Sequence, residues 1–173
     1  MFEPCVLGVD PGLAAMGLAA VSEAGGRARV LWSDTVRTPS GLAEPNRLRR
    51  VAEAVREAIR THGPQAMAVE AVMWGQNKTS ALSVSRATGV ILLVAAEAGI
   101  PVQEYAPLEV KMAITGVGNA EKDRVRLTMV RAHRVEGVPE QPDAADAAAV
   151  ALCHLHQSRL RRASQAAGAA GAS

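Results

Sequence analysis

Apolar positions along the chain change their spacing repeatedly, and each change marks an element. Cys5 to Asp10 is a short, nearly unbroken apolar run stopped by Pro11-Gly12, which predicts a strand followed at once by a turn. Residues 16–22 predict a second strand, and Gly25-Gly26 marks a turn into a third near 28–37. This is a β-meander with the first strand in the interior. Thr38-Pro39-Ser40-Gly41 reads as a loop. From Glu44, the apolar residues Leu48, Val51, Val55 and Ile59 recur with helical period, arginines occupy the opposite face, and Gly63-Pro64 stops the helix. Residues 66–70 predict another strand, followed by a loop through Gly75.

A long helix is predicted over Asn77 to Glu97. Its Val90-Ile91-Leu92-Leu93-Val94 run is apolar on all sides, which predicts burial at the centre of the fold. Gly99 ends it, and residues 101–105 predict a fifth strand. Short helices follow over Pro107 to Thr115 and Glu121 to Arg134, and a last one from Asp143 to about Arg161. A meander followed by alternating helices and strands predicts an α/β fold: a mixed five-stranded sheet, part antiparallel meander and part parallel, flanked by helices. Residues 1–160 read as one domain. Residues 161–173, nearly all Ala, Gly, Ser and Gln, have nothing to bury and predict a disordered low-complexity tail.

At 173 residues the chain suits one full core, and with aromatics at only 2% that core must be aliphatic. The net charge of +2 identifies no partner, but its distribution is uneven. Lys122, Arg124, Arg126, Arg131 and Arg134 lie close together against only Glu121 and Asp123; Arg47, Arg49 and Arg50 form a second group, and Arg159, Arg161 and Arg162 a third. These clusters suit either a local polyanion-binding face or solvated helix surfaces. Cys5 and Cys153 form no CxxC pair or zinc spacing, and two buried thiols in a reducing compartment is the plain reading. Neither a secretory leader nor a stretch long enough to span a bilayer is evident, so the expectation is a cytoplasmic protein without membrane association.

The chemistry sits in four carboxylates. Asp10 ends the first strand at a turn, and Glu70 ends the strand Ala66-Met67-Ala68-Val69-Glu70. Asp143 and Asp146, three residues apart near a helix start, lie about 60° apart around the axis. Asp143 alone could serve the helix dipole, and Glu70 alone could be a surface strand end. Asp146 has no such account, because Asp is a poor residue one turn into a helix lined by alanine. Four crowded acids repel one another unless cations sit between them, and oxygen ligands suit magnesium or manganese. Two such ions would let the set hydrolyse a phosphodiester, with Asp10 as the bridging ligand. Asp10-Pro11-Gly12 also opens the nucleotide site of the actin and sugar-kinase class, but the second glycine-rich loop and second domain of that class are missing here.

Together these stretches resemble the RuvC family of Holliday-junction resolvases, in the RNase H-like superfamily. The resemblance runs from Val6 to about His154. It is carried by Leu7-Gly8-Val9-Asp10-Pro11-Gly12; by Val69-Glu70 with Asn77 and Ser80-Ala81-Leu82; and by Glu104-Tyr105-Ala106-Pro107 leading to Val110-Lys111. Further on it rests on Thr115-Gly116-Val117-Gly118-Asn119-Ala120-Glu121-Lys122, on Met129-Val130-Arg131, and on Pro142-Asp143-Ala144-Ala145-Asp146-Ala147 through Ala151-Leu152-Cys153-His154.

The resemblance implies a homodimer that nicks two opposed strands of four-way junction DNA, with Mg2+ or Mn2+, two per active site, and a RuvAB branch-migration complex as partner. Asp10, Glu70, Asp143 and Asp146 fall on the family's acidic catalytic positions, and Lys111 and Lys122 on its two basic ones. Asn77, Lys78, Arg124 and Arg131 are further candidates for contact with DNA. The chain departs from the family where many relatives carry a Phe after the catalytic Glu: Met73 stands there, and Trp74 follows. Trp74 could stack on bases, Met73 could act as the wedge, or Trp74 could cap the core. The long apolar helix, residues 78–98, is the expected dimer contact. Two other functions are open: a junction-binding scaffold without nuclease activity, and a nuclease for RNA–DNA hybrids.

Overall fold

The computed structural model describes residues 4–73 and 78–170. In chain order its elements are β1 (Cys5–Asp10), β2 (Ala15–Ala24), β3 (Arg27–Arg37), α1 (Glu44–His62), β4 (Ala66–Glu70), α2 (Lys78–Glu97), β5 (Val102–Tyr105), α3 (Pro107–Thr115), α4 (Lys122–Arg131) and α5 (Pro142–Ala170). The strands form one sheet in the order β3-β2-β1-β4-β5. The first three make the antiparallel meander, and β4 and β5 add parallel to β1. Gly25 and Gly26 both take positive φ at the β2–β3 turn, which tight hairpins require of their central residues. β1 lies in the middle with neighbours on both sides, which is why Cys5 to Val9 are all buried and its sequence does not alternate.

Each face of the sheet has its own aliphatic core. Leu7, Val9, Met16, Leu18, Met67 and Val69 point to one side and meet Val51 and Val55 of α1 and Ile91 and Val94 of α2. Val6, Ala19, Val21 and Ala68 point to the other side, where α5 lies across the strands and α3 and α4 pack around it. The alanines of α5 matter here. Ala144, Ala145, Ala147, Ala148 and Ala151 are all buried, and side chains this small let the helix backbone come close to the sheet. A β-carbon built on Gly8 would lie 2.0 Å from the Ala147 carbonyl oxygen, and one on Gly17 would lie 1.8 Å from that of Asp143. Neither position has room for any side chain.

Three expectations need correction. The long apolar helix is not buried on all sides. Ala81, Ala87, Ile91, Val94 and Ala95 of α2 face inward, but Leu82 and Leu93 are 46% and 57% exposed. α2 forms an outer layer beside α1, so only one stripe of it meets the sheet. The helix expected to reach Arg134 ends at Arg131, where the chain turns, and Arg134 takes a left-handed φ of 52°. The segment beyond runs along β3, with Val30 N–H donating to the Glu136 carbonyl at 2.8 Å. Finally, α5 continues to Ala170, past the expected end at Arg161 and into the stretch read as a disordered tail. Lack of apolar surface argues against packing rather than against helix, and alanine is the strongest helix former.

Candidate active site

β1 and β4 run parallel with Val9 opposite Val69, so the residues that follow, Asp10 and Glu70, end side by side at the carboxyl edge of the sheet. By strand alternation both carboxylates point to the face covered by α5. In the antiparallel direction Asp10 pairs with Gly17, and the first turn of α5 rests on that pair through the Asp143 carbonyl. The two-glycine contact therefore delivers Asp143 and Asp146 to the strand-end acids. Asp143 lies in the first turn of α5, where a carboxylate is favoured by the free N–H groups.

The electrostatics confirm the crowding. Burial first, then the charges of Glu70, Asp146 and Asp143, push the Asp10 carboxyl up to about 8, with Lys122 opposing them. Glu70 is also raised, by burial and then by Asp146, although a hydrogen bond from Asp10 and the charges of Lys122 and Lys111 pull the other way. Asp10 and Glu70 therefore each hold a proton more tightly than an ordinary carboxyl, and each disfavours ionisation of the other.

Cations surround the acids. Lys122, the first residue of α4, donates to Asp146. Burial disfavours its ammonium, but Asp146, Asp10 and Glu70 outweigh that and raise its pKa. Lys111 approaches Glu70 from α3. Arg37, at the end of β3, reaches to 3.8 Å from Asp143. It was not among the residues expected from the sequence, although the β2–β3 pairing puts it opposite Ala15, beside the site.

Among the described residues no three His, Cys, Asp or Glu side chains form a closed ligand set, and Asp146 accepts from Lys122. The donors nevertheless fit hard divalent cations. They are all carboxylate oxygens, and the repulsion that raises Asp10 is what a dication relieves. Asp10 and Asp143 also line a cleft of about 610 Å³ with the loop from Pro11 to Ala15, Arg47, Ser83 and Val84.

Of the other candidates, Met73 lies just beyond Glu70 and is 64% exposed. Trp74 and Asn77 lie outside the described residues, and Lys78 is placed only as the first backbone position of α2. Arg124 is exposed on α4, two residues from Lys122. Arg131 is exposed at the far end of that helix, roughly 13 Å along its axis from Lys122.

The profile of the family described as Crossover junction endodeoxyribonuclease RuvC matches residues 6–154. A protein of that description from Moorella thermoacetica is 45% identical over 127 residues, 73% of this chain and 75% of the relative. Another from Brevibacillus brevis is 39% identical over 135 residues, 78% of this chain and 81% of the relative. Among solved structures, Thermus thermophilus RuvC is 34% identical with a TM-score of 0.82, covering 90% of this chain and 96% of that one. The same protein in complex with Holliday junction substrate gives a TM-score of 0.83. The yeast mitochondrial Holliday junction resolvase Ydc2, at 13% identity and a TM-score of 0.66, shares the fold.

Proposed function

The chain belongs to the RuvC family of crossover junction endodeoxyribonucleases, and from that membership we propose how its own residues cut DNA. It is a Holliday-junction resolvase that hydrolyses phosphodiester bonds in four-way DNA, in recombination and repair. The family's nucleases depend on metal. For this chain the reading is two ions, Mg2+ or Mn2+, held by Asp10, Glu70, Asp143 and Asp146. When bound, the ions supply an activated water and offset charge on the leaving oxygen.

The one observation that carries this assignment is the convergence on Asp10: half-buried, it ends beside Glu70 at the sheet edge with the first turn of α5 seated on its β2 partner, and burial and the other three acids push its carboxyl up to about 8. Asp10 sits between Glu70 on one side and the α5 pair on the other, so it would share in holding both ions. Lys122, beside Asp146, Asp10 and Glu70, would meet the non-bridging oxygens of the scissile phosphate, and Lys111 would support it from the Glu70 side. The exposed Met73 with Trp74, and Asn77, Lys78, Arg124 and Arg131, are candidates for the wider DNA contact.

The enzyme works as a homodimer, so that two sites cut two opposed strands. The exposed Leu82 and Leu93 on α2 support that reading, because a single chain leaves this apolar face uncovered. Partnership with a RuvAB branch-migration complex and a place in the cytoplasm are part of the same proposal. Buried Cys5 and Cys153, both free thiols, agree with a reducing compartment.

The deciding experiment offers a synthetic junction, a linear duplex and an RNA–DNA hybrid to the enzyme in magnesium and in manganese. Paired nicks confined to the junction are expected. Asp10→Asn should abolish cleavage and leave junction binding intact. Tight binding with no nicks in either metal would favour a scaffold, and cutting of the hybrid would favour the third reading.

A further inference from the structure

Lys122 reaches the acids from the helical layer that holds α5, while Arg47 reaches the same site from α1 in the opposite layer. Arg47 lines the cleft that Asp10 and Asp143 also line, and its setting is unusual for a surface arginine. Its Nε donates to Thr38 Oγ1 at 2.7 Å, and the Thr38 hydroxyl in turn donates to the Leu13 carbonyl. Thr38 is only 6% exposed, and its own N–H bonds the Ala14 carbonyl, so it is fixed to the loop that follows Asp10. The arginine is therefore held by a neutral, buried acceptor.

Among the described residues no carboxylate pairs with Arg47. The acid of its own helical turn, Glu44, is taken by Arg86 at 2.6 Å, and Arg49 turns to Glu53. Arg47 also stands near the N-terminus of α1, where the helix dipole disfavours a cation. With Nε occupied, both terminal nitrogens remain to donate, in the planar arrangement that grips a phosphate through two parallel bonds.

We propose that Arg47, aimed by Thr38, is the phosphate-binding residue of a second backbone subsite in this cleft, holding the cleaved strand from the α1 side while Lys122 meets it from the α4 side. The proposal rests on the nuclease reading above and adds a positioning contact to it. A phosphate seated there would carry the strand across Asp10 and Asp143 and fix its register against the acids.

The test separates charge from geometry. In an Asp10→Asn background and in chelator, where no chemistry occurs, junction affinity is measured across a range of salt for Arg47 and for Arg47→Gln. Loss of one phosphate contact should lower the slope of log affinity against log salt by about 0.9, and affinity at low salt by roughly five- to tenfold. Arg47→Lys, with Asp10 intact, should keep the slope but cut at least about fivefold more slowly in single turnover, since an ammonium cannot reproduce the Nε bond to Thr38. An unchanged slope in a normally melting Arg47→Gln protein would overturn the proposal. So would parental cleavage by Arg47→Lys, which decides alone if the glutamine variant fails to fold. A parent enzyme that nicks no junction would sink the nuclease reading instead, while the binding slopes still judge Arg47.

Discussion

Asp10 has to ionise in a place that opposes ionisation, and that conflict sets its pH behaviour. Its carboxyl ordinarily titrates near 3.8, and in the folded protein burial and the neighbouring acids raise it to about 8. Between those values the native state keeps a proton that the unfolded chain has lost. Stability from this group is therefore present at low pH and falls as pH rises through the window. In chelator, the melting temperature should decline from about pH 5 to pH 8, and Asp10→Asn should flatten the decline. Saturating magnesium should raise melting most at the alkaline end, because the cation and the proton compete for the same oxygens. A parent and an Asp10→Asn protein with parallel pH curves would show that burial and the neighbouring acids do not raise Asp10. Asp146→Asn should lower cleavage by about a thousandfold with junction affinity retained, read by single-turnover cutting beside a gel-shift titration. The identity of Asp10 was legible from its strand-end position. Its proton affinity was not, because that depends on Glu70, Asp143 and Asp146, which approach only in the folded chain.

The decisive element is α5, and its placement depends on what the sheet lacks. Gly17→Ala would put a methyl group 1.8 Å from the Asp143 carbonyl oxygen, so either β2 or the first turn of α5 must move. The expected cost is about 3 kcal/mol in urea denaturation. Cleavage should be lost even in the fraction that stays folded, because the displaced turn is the one that carries Asp143. Gly8→Ala, farther along the helix at Ala147, should destabilise comparably. The α5 alanines and the glycines facing them are visible in the sequence as small residues, but only the crossing shows that they serve one close approach. α2 teaches the opposite lesson. Its apolar run suggested burial on all sides, whereas the fold covers one stripe and leaves Leu93 57% exposed. If that face joins two subunits, Leu93→Glu should shift sedimentation from dimer to monomer at micromolar concentration while the melting transition stays cooperative. Unchanged sedimentation would place the dimer contact elsewhere.

As a whole molecule, the chain presents four acids at one sheet edge with cations arriving from both helical layers: Lys111 and Lys122 from one, Arg47 from the other. In the proposed homodimer, two such edges act together to resolve a junction. When active protein is mixed with an excess of Asp10→Asn protein and allowed to exchange subunits, junctions should accumulate a single nick, visible on a denaturing gel without resolved duplexes on a native one. Full resolution at the undiluted rate would mean that each cut is made by an independent unit. Much of this could be read from the chain before folding was considered. Strand and helix positions follow from local hydrophobic period, and the mixed sheet follows from their order. The four candidate acids follow from carboxylates set at strand ends and one turn into an alanine-lined helix. What the tertiary structure alone decided were relations between distant segments: the seating of α5 on Gly8 and Gly17, the raised pKa of Asp10, Arg37 against Asp143, Arg47 locked to Thr38, and the bare face of α2. Local pattern governs which conformation a segment takes, while proton affinities and contact distances depend on neighbours that chain folding brings from far away in sequence.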